Sequence, residues 1–267
     1  MKVNQFTSYL VAVSPLELIM ADSIQAVSSS ITALTEQYAT ITQNIANAST
    51  AGYKRRANSF SQLLAAQGGD APAVPIAGLA QLPASKVVER SSVDFTQGGM
   101  HNTGRPFDLA INGAGFFVIE TPEGPLYTRA GCFRTNSQGQ LVDYSGRTIG
   151  GEGGPITIPA TIASQDVKIA ADGQVYAAGS VVGKVKIVNF ADTSVLQPVG
   201  QNCFSAGMAS PQESSASIAQ GYQEASNVSM VEELVGLITV TRLYEANLKN
   251  VQVQDEKMKN LLGVAMR

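Results

Sequence analysis

Two long apolar rows at opposite ends of the chain restrict its architecture more than any other feature. From Ile24 the apolar positions run through Val27, Ile31, Leu34, Tyr38, Ile41, Ile45 and Ala48. The steps alternate three and four, which is the spacing of a heptad seam. Near the C-terminus a second row runs Met230, Leu234, Leu237, Thr241, Tyr244, Leu248, Val251, Asp255, Met258 and Leu262, polar only at Thr241 and Asp255. Apolar rows of this length are unstable in water, so each helix needs a partner, and the simplest partner for one is the other. This reading predicts an α+β fold, in which long N- and C-terminal helices pair as a coiled-coil-like stalk with an all-β domain inserted between them.

The polar face of the first helix is unusual. Between Ala21 and Tyr53 the only charged residues are Asp22 and Glu36; the rest of that face is Ser, Thr, Gln and Asn. These residues form helix less readily than Lys or Glu, but they can be buried among neighbours without the cost of burying an ion. This uncharged polar face therefore predicts a helix that orders on assembly. Asp22-Ser-Ile-Gln25 reads as a capping box opening it, and Asn47 to Gly52 ends it, with Gly52 able to take a positive φ. Residues 1–19 fall outside the pattern, and the expectation is that Met20 is the natural start and that these residues are a non-native or disordered extension. Residues 20–67 form the N-terminal helical segment, and the Gly-, Ala- and Pro-rich stretch 68–85 reads as a linker.

From residue 86 to 205 the period changes to two. Strands are expected at 107–111, 116–120, 126–129, 167–170, 175–177 and 181–190, with turns at 122–124, 137–139, 144–146 and 172–173. Residues 206–220 read as a second linker and 221–267 as the C-terminal helix, opened by a capping box at Ser229-Met-Val-Glu232.

Charge and composition narrow the function. Only 15% of residues are charged, against roughly 25% in an average globular protein, so much of the nominal surface is not built to face water. A net charge of -3 disfavours nucleic-acid binding, which calls for a basic patch. The one basic run, Lys54-Arg55-Arg56, reads as a charge cluster at a helix C-terminus. Cys132 and Cys203 lack metal-ligand spacing and read as small core residues. No apolar run is long enough to span a membrane, and the N-terminal helix lacks the Lys and Arg of a membrane-surface helix.

No catalytic set can be assembled. His101 is the only histidine and falls in a Gly-rich loop. Gly113-Ala-Gly115 begins like a dinucleotide fingerprint but runs into Phe116-Phe-Val-Ile, a strand rather than a helix. The carboxylates are scattered. The reading is of a protein that is not an enzyme, with no cofactor and no metal; the rival, a secreted β-domain binding protein or hydrolase, calls for a pocket and turnover.

Three motifs carry a resemblance. Ile41-Thr-Gln-Asn-Ile-Ala-Asn-Ala-Ser-Thr-Ala-Gly-Tyr-Lys-Arg55 resembles the N-terminal signature of bacterial flagellar rod and hook proteins. Thr103 to Phe117 and Tyr127-Thr-Arg-Ala-Gly131 are similar to that family's β-domain segments. Gly221-Tyr-Gln-Glu-Ala-Ser-Asn-Val228, Glu232-Glu-Leu-Val235 and Arg242-Leu-Tyr-Glu-Ala-Asn-Leu-Lys249 resemble its C-terminal helix. The length fits a rod subunit of the FlgF/FlgG type better than a hook protein. Gly151 to Pro159 looks more like the proximal rod type, and the C-terminal motifs more like the distal one.

The resemblance implies a structural subunit of the flagellar basal body, exported unfolded through the type III apparatus. Its copies would assemble with other rod and hook proteins into a hollow shaft that carries torque from motor to hook. The assembly interface implied comprises Ile24, Val27, Ile31, Leu34, Tyr38, Ile41, Asn44, Ile45, Asn47, Gly52 and Tyr53 at the N-terminal end. At the C-terminal end it comprises Leu234, Leu237, Tyr244, Leu248, Val251, Met258 and Leu262.

Overall fold

A computed structural model describes residues 15–62 and 87–265 of the chain. Two long helices flank a chain of short strands. Helix α1 spans Pro15–Ala46. Strands β1 (Arg56–Gln62) and β2 (Val87–Val93) pair with each other. Strands β3 (Met100–Asn102) and β4 (Leu109–Asn112) precede a hairpin of β5 (Phe116–Thr121) and β6 (Gly124–Thr128). Three short strands follow, β7 (Arg134–Thr135), β8 (Leu141–Val142) and β9 (Thr148–Ile149). A three-stranded antiparallel sheet comes next, formed by β10 (Val167–Ile169), β11 (Gln174–Ala177) and β12 (Ser180–Lys184). The remainder are β13 (Ile187–Asn189), β14 (Gln197–Gly200), β15 (Cys203–Ser205), β16 (Gln212–Glu213), β17 (Ser217–Gln220) and β18 (Tyr222–Glu224). Helix α2 then spans Met230–Ala265.

The largest sheet runs β14-β15-β6-β5-β9-β8-β7, with β13 pairing both β5 and β16. Strand β5 lies at its centre and explains why Phe116-Phe-Val-Ile119 is an unbroken apolar run rather than an alternating one. Successive side chains point to opposite faces, and here both faces are covered. Phe117 and Ile119 join a core with Leu109, Ile111, Phe133, Leu141 and Ile149. Phe116 and Val118 join a second core with Tyr127, Val188, Phe190, Leu196 and Phe204. Edge-to-face ring pairs hold that second cluster, Tyr127 against Phe190 at 4.8 Å and Phe95 against Phe204 at 5.0 Å.

The chain divides into two compact units. One contains Thr40–Ala57 and Ser91–Val235, with both cores; the other contains, among the described residues, the outer parts of both helices with 58–62 and 87–90. The coiled-coil stalk expected from the heptad rows is not formed. The described residues are mostly short strands with two helices, and the rows do not close on each other. Tyr38 and Met230 are each 47% exposed, Leu234 45%, Leu248 39% and Tyr244 37%. The helices do meet where Leu34 and Val240 are buried and where the Asn247 amide donates to Ser30 Oγ at 3.2 Å.

The physical reason lies in α2. It also exposes Val231, Val235, Ile238, Leu243 and Val253, positions off the row, so its apolar surface is broad rather than a narrow seam. A period of 3.5 identifies an apolar stripe but not what covers it.

Three boundaries also differ from the sequence reading. Helix α1 begins at Pro15, ahead of Asp22, with proline suited to a first turn whose N–H groups have no helical acceptor. Residues 212–224, read as linker and helix, form β16, β17 and β18, and the last helix starts at Met230. The expected linker 68–85 and most of the leading segment lie outside the described residues.

Candidate functional site: a buried junction of the terminal segments

The N-terminal motif folds into a compact knot at the end of α1. Asn44 is 1% exposed, and its side chain holds the following loop from inside. Its Oδ1 accepts from the Tyr53 hydroxyl at 3.0 Å and from the Arg56 backbone N–H at 3.0 Å, while its Nδ2 donates to the Arg56 carbonyl at 2.8 Å. Asn47 closes the helix end, donating to the Gln43 carbonyl and accepting from Thr50 Oγ1. Gly52 takes φ +67°, as the sequence anticipates for a residue ending this helix, and it packs directly on the Ala130 backbone.

That loop delivers Lys54 into the interior. Its side chain is fully buried and donates to Glu224 Oε1 at 2.6 Å and to the Thr96 carbonyl at 2.6 Å. Glu224, also fully buried, sits at the end of β18. It accepts in addition from the Gly98 N–H at 3.0 Å and from Arg129 Nη1 at 3.4 Å. Arg129 donates to the Gly113 carbonyl at 2.9 Å and stacks over the Phe116 ring at 5.3 Å, while its Nε has no partner among the described residues.

Two buried cations thus share one buried carboxylate. Burial lowers the Lys54 pKa, and the Glu224 carboxylate partly restores it; burial lowers Arg129 in the same way. Charges removed from water to this extent persist only when paired. Around them, the Arg55 N–H donates to Asn227 Oδ1 at 2.7 Å, Arg55 Nε to Glu233 Oε1 at 2.5 Å, and the Gly52 N–H to the Glu224 carbonyl at 2.7 Å. Lys54-Arg55-Arg56 is therefore not simply a charge cluster at a helix C-terminus. Lys54 and Arg55 each meet a glutamate from the far end of the sequence, and Arg56 Nη1 donates to Gln43 Oε1.

Of the expected interface positions, the structure buries Leu34, Ile41, Asn44, Gly52 and Tyr53 and leaves Tyr38, Leu234, Tyr244 and Leu248 exposed. Val27, Ile31, Ile45, Asn47, Leu237 and Val251 are half-buried. The side chains of Ile24, Met258 and Leu262 lie outside the described residues. Asn44, Gly52 and Tyr53 make their contacts within the chain's own fold. Sequence reading missed Lys54, Arg129 and Glu224 as a group, although each falls inside one of the three motifs.

Beside the junction lies a cavity of about 480 Å³, lined in part by Gln43, Tyr53, Arg56, Cys132, Tyr144 and Cys203. Its polar rim is hydrogen-bonded within the chain. Arg147 donates to Asp143, Ser145 Oγ to Gln201, and Asn202 Nδ2 to the Ala51 carbonyl. Among the described residues no group of three or more His, Cys, Asp and Glu side chains could hold a metal ion, and no helix is long and apolar enough to cross a membrane. His101 lies exposed on β3, opposite Gln223 of β18.

Burial, with Asp108 nearby, pushes the Cys132 thiol up to about 11. The fold therefore favours the protonated thiol. Its contribution to stability is full below the ordinary thiol range and is lost as pH rises through about 11. At pH 8 Cys132 is expected to react with a disulfide reagent about 100-fold more slowly in the native protein than in the denatured chain; equal rates would show that the thiol is not held this way.

Comparison with known proteins places this arrangement. The family model "Flagellar hook protein FlgE/F/G D1 domain" matches residues 110–177, and "Flagellar basal body rod FlgEFG protein C-terminal" matches 219–264. The chain is 34% identical over 242 residues to the flagellar basal-body rod protein FlgG of Buchnera aphidicola from Acyrthosiphon pisum, covering 83% of this chain and 91% of that one. It is 38% identical over 238 residues to FlgG of Agrobacterium fabrum, covering 81% and 88%. It is 36% identical over 213 residues to the basal-body rod protein FlgF of Caulobacter vibrioides, covering 78% and 83%. The chain belongs to the family of flagellar basal-body rod proteins.

Proposed function

We propose that the protein is a structural subunit of the bacterial flagellar basal-body rod. Its copies, with other axial proteins of the flagellum, stack helically into the hollow shaft that carries torque from motor to hook. Its place is the flagellum basal body. The role is mechanical rather than catalytic, and delivery is through the flagellar type III export apparatus. The observation that carries the assembly reading is the exposed apolar face at the start of α2. Val231 is 73% exposed, Val235 59% and Ile238 55%, at spacings of four and three that place them on one side of a helix. Such a face on a long helix is stable when a neighbouring subunit covers it.

The test is Val235→Glu combined with Ile238→Glu. Both sites are exposed, so the double variant is expected to keep the thermal midpoint of the wild type within a few degrees. It is also expected to be missing from purified basal bodies, leaving cells non-motile. Normal incorporation of the variant would show that this face is not a subunit contact.

A further inference from the structure

We propose that residues 217–233 are a closing latch: Gly52 to Arg55 and strands β3 and β4 cannot take up their native places until this late part of the chain is present. The buried charges give the first reason. Lys54 and Arg129 share Glu224 as their carboxylate, and Lys54 and Glu224 are 170 residues apart in sequence. Before Glu224 arrives, burying either cation leaves it uncompensated in the interior, so both stay in water.

Strand pairing gives the second. The ladder partner of β3 is β18 and that of β4 is β17. Leu109, Ala110 and Ile111 on β4 are all 0% exposed, so a core strand rests on a partner that follows it by more than a hundred positions. The third reason is backbone. The Gly52 N–H donates to the Glu224 carbonyl, the Thr103 N–H to the Gly221 carbonyl, the Gly221 N–H to the Asp108 carbonyl and the Ala225 N–H to the Gly99 carbonyl. These bonds interleave the two segments, so neither side completes its hydrogen bonding alone.

The hairpins between them have no such dependence. Strands β5 and β6 pair across a short turn, as do β10 and β11. Closing a loop as long as the one between Lys54 and Glu224 carries an entropic cost that precedes any gain from the contacts. The local hairpins therefore form first and the latch closes last.

The experiment is pulse-labelled hydrogen exchange during refolding of the full-length protein from urea. The amides of Gly52, Gly98 and Thr103 on the early side are expected to gain protection in one phase with Gly221 and Ala225 on the late side. That phase should follow protection of Leu141 and Gly150, whose N–H groups donate to the Ile156 and Val118 carbonyls. Glu224→Gln is expected to slow the latch phase about tenfold while leaving the earlier phase unchanged. Protection of Thr103 and Gly52 before Gly221 and Ala225 overturns the proposal. If Glu224→Gln does not fold, the order of protection in the wild-type protein decides alone.

Discussion

Replacing Glu224 with leucine is expected to remove about 3–5 kcal/mol from the stability of the β-rich unit, the usual cost of breaking a buried ion pair from one side. The leucine fills the space and loses little packing, so the effect isolates the charge. Lys54 and Arg129, with side chains 0% and 4% exposed, would remain in the interior without a carboxylate, and the Gly98 N–H would lose its acceptor. For a domain of ordinary stability, roughly 5–15 kcal/mol, such a loss is a large fraction of the total and lowers the urea midpoint by about 1 M or more.

Glu233→Leu provides the contrast. It also breaks a short ion pair, but the Arg55 side chain is 38% exposed and can return to water. The cost is expected to be about 1 kcal/mol, discounted for solvent screening. Urea denaturation of both variants at pH 7 measures the difference. If the two substitutions cost the same, burial is not what makes Glu224 matter.

The comparison between these glutamates also shows what the sequence could and could not disclose. Both belong to C-terminal motifs that resemble the flagellar family, so their membership in a shared pattern was readable. Their partners were not, because a partner 170 residues away leaves no periodicity in any local window. The strands around Phe116 and Tyr127 were readable for the opposite reason: alternation and turn residues encode them within a few positions. The exposed row on α2 was legible as apolar but not as to its partner, and assigning it to α1 produced the coiled-coil expectation that the structure overturns. Residues 212–224 were misread because their strands pair with β3, β4 and β13 rather than with each other. Short Ser-, Ala- and Gln-rich strands of that kind carry little apolar signal of their own.

Gly52→Ala is expected to cost about 3–5 kcal/mol, more than positive φ explains by itself. A non-glycine residue in the left-handed region carries a strain of about 1–2 kcal/mol. Gly146 measures that part: it has φ +83° and nothing within 4 Å of where a Cβ would stand, so Gly146→Ala should show strain alone. At Gly52 a Cβ would stand 2.4 Å from the Ala130 nitrogen and 2.6 Å from the Arg129 carbonyl carbon. These are backbone atoms, which cannot swing aside as a side chain can, so the loop carrying Gly52 must lift. Lifting it pulls the Gly52 N–H from the Glu224 carbonyl, at 2.7 Å, and draws Lys54, two residues on, away from its carboxylate. The substitution therefore acts on the buried charges through the backbone without touching them. Combined with Glu224→Leu it should cost clearly less than the two single losses added, since both disturb one network. Denaturant midpoints for the two alanine variants and the double variant test this. Equal losses at Gly52 and Gly146 would show that the close approach to Ala130 contributes nothing.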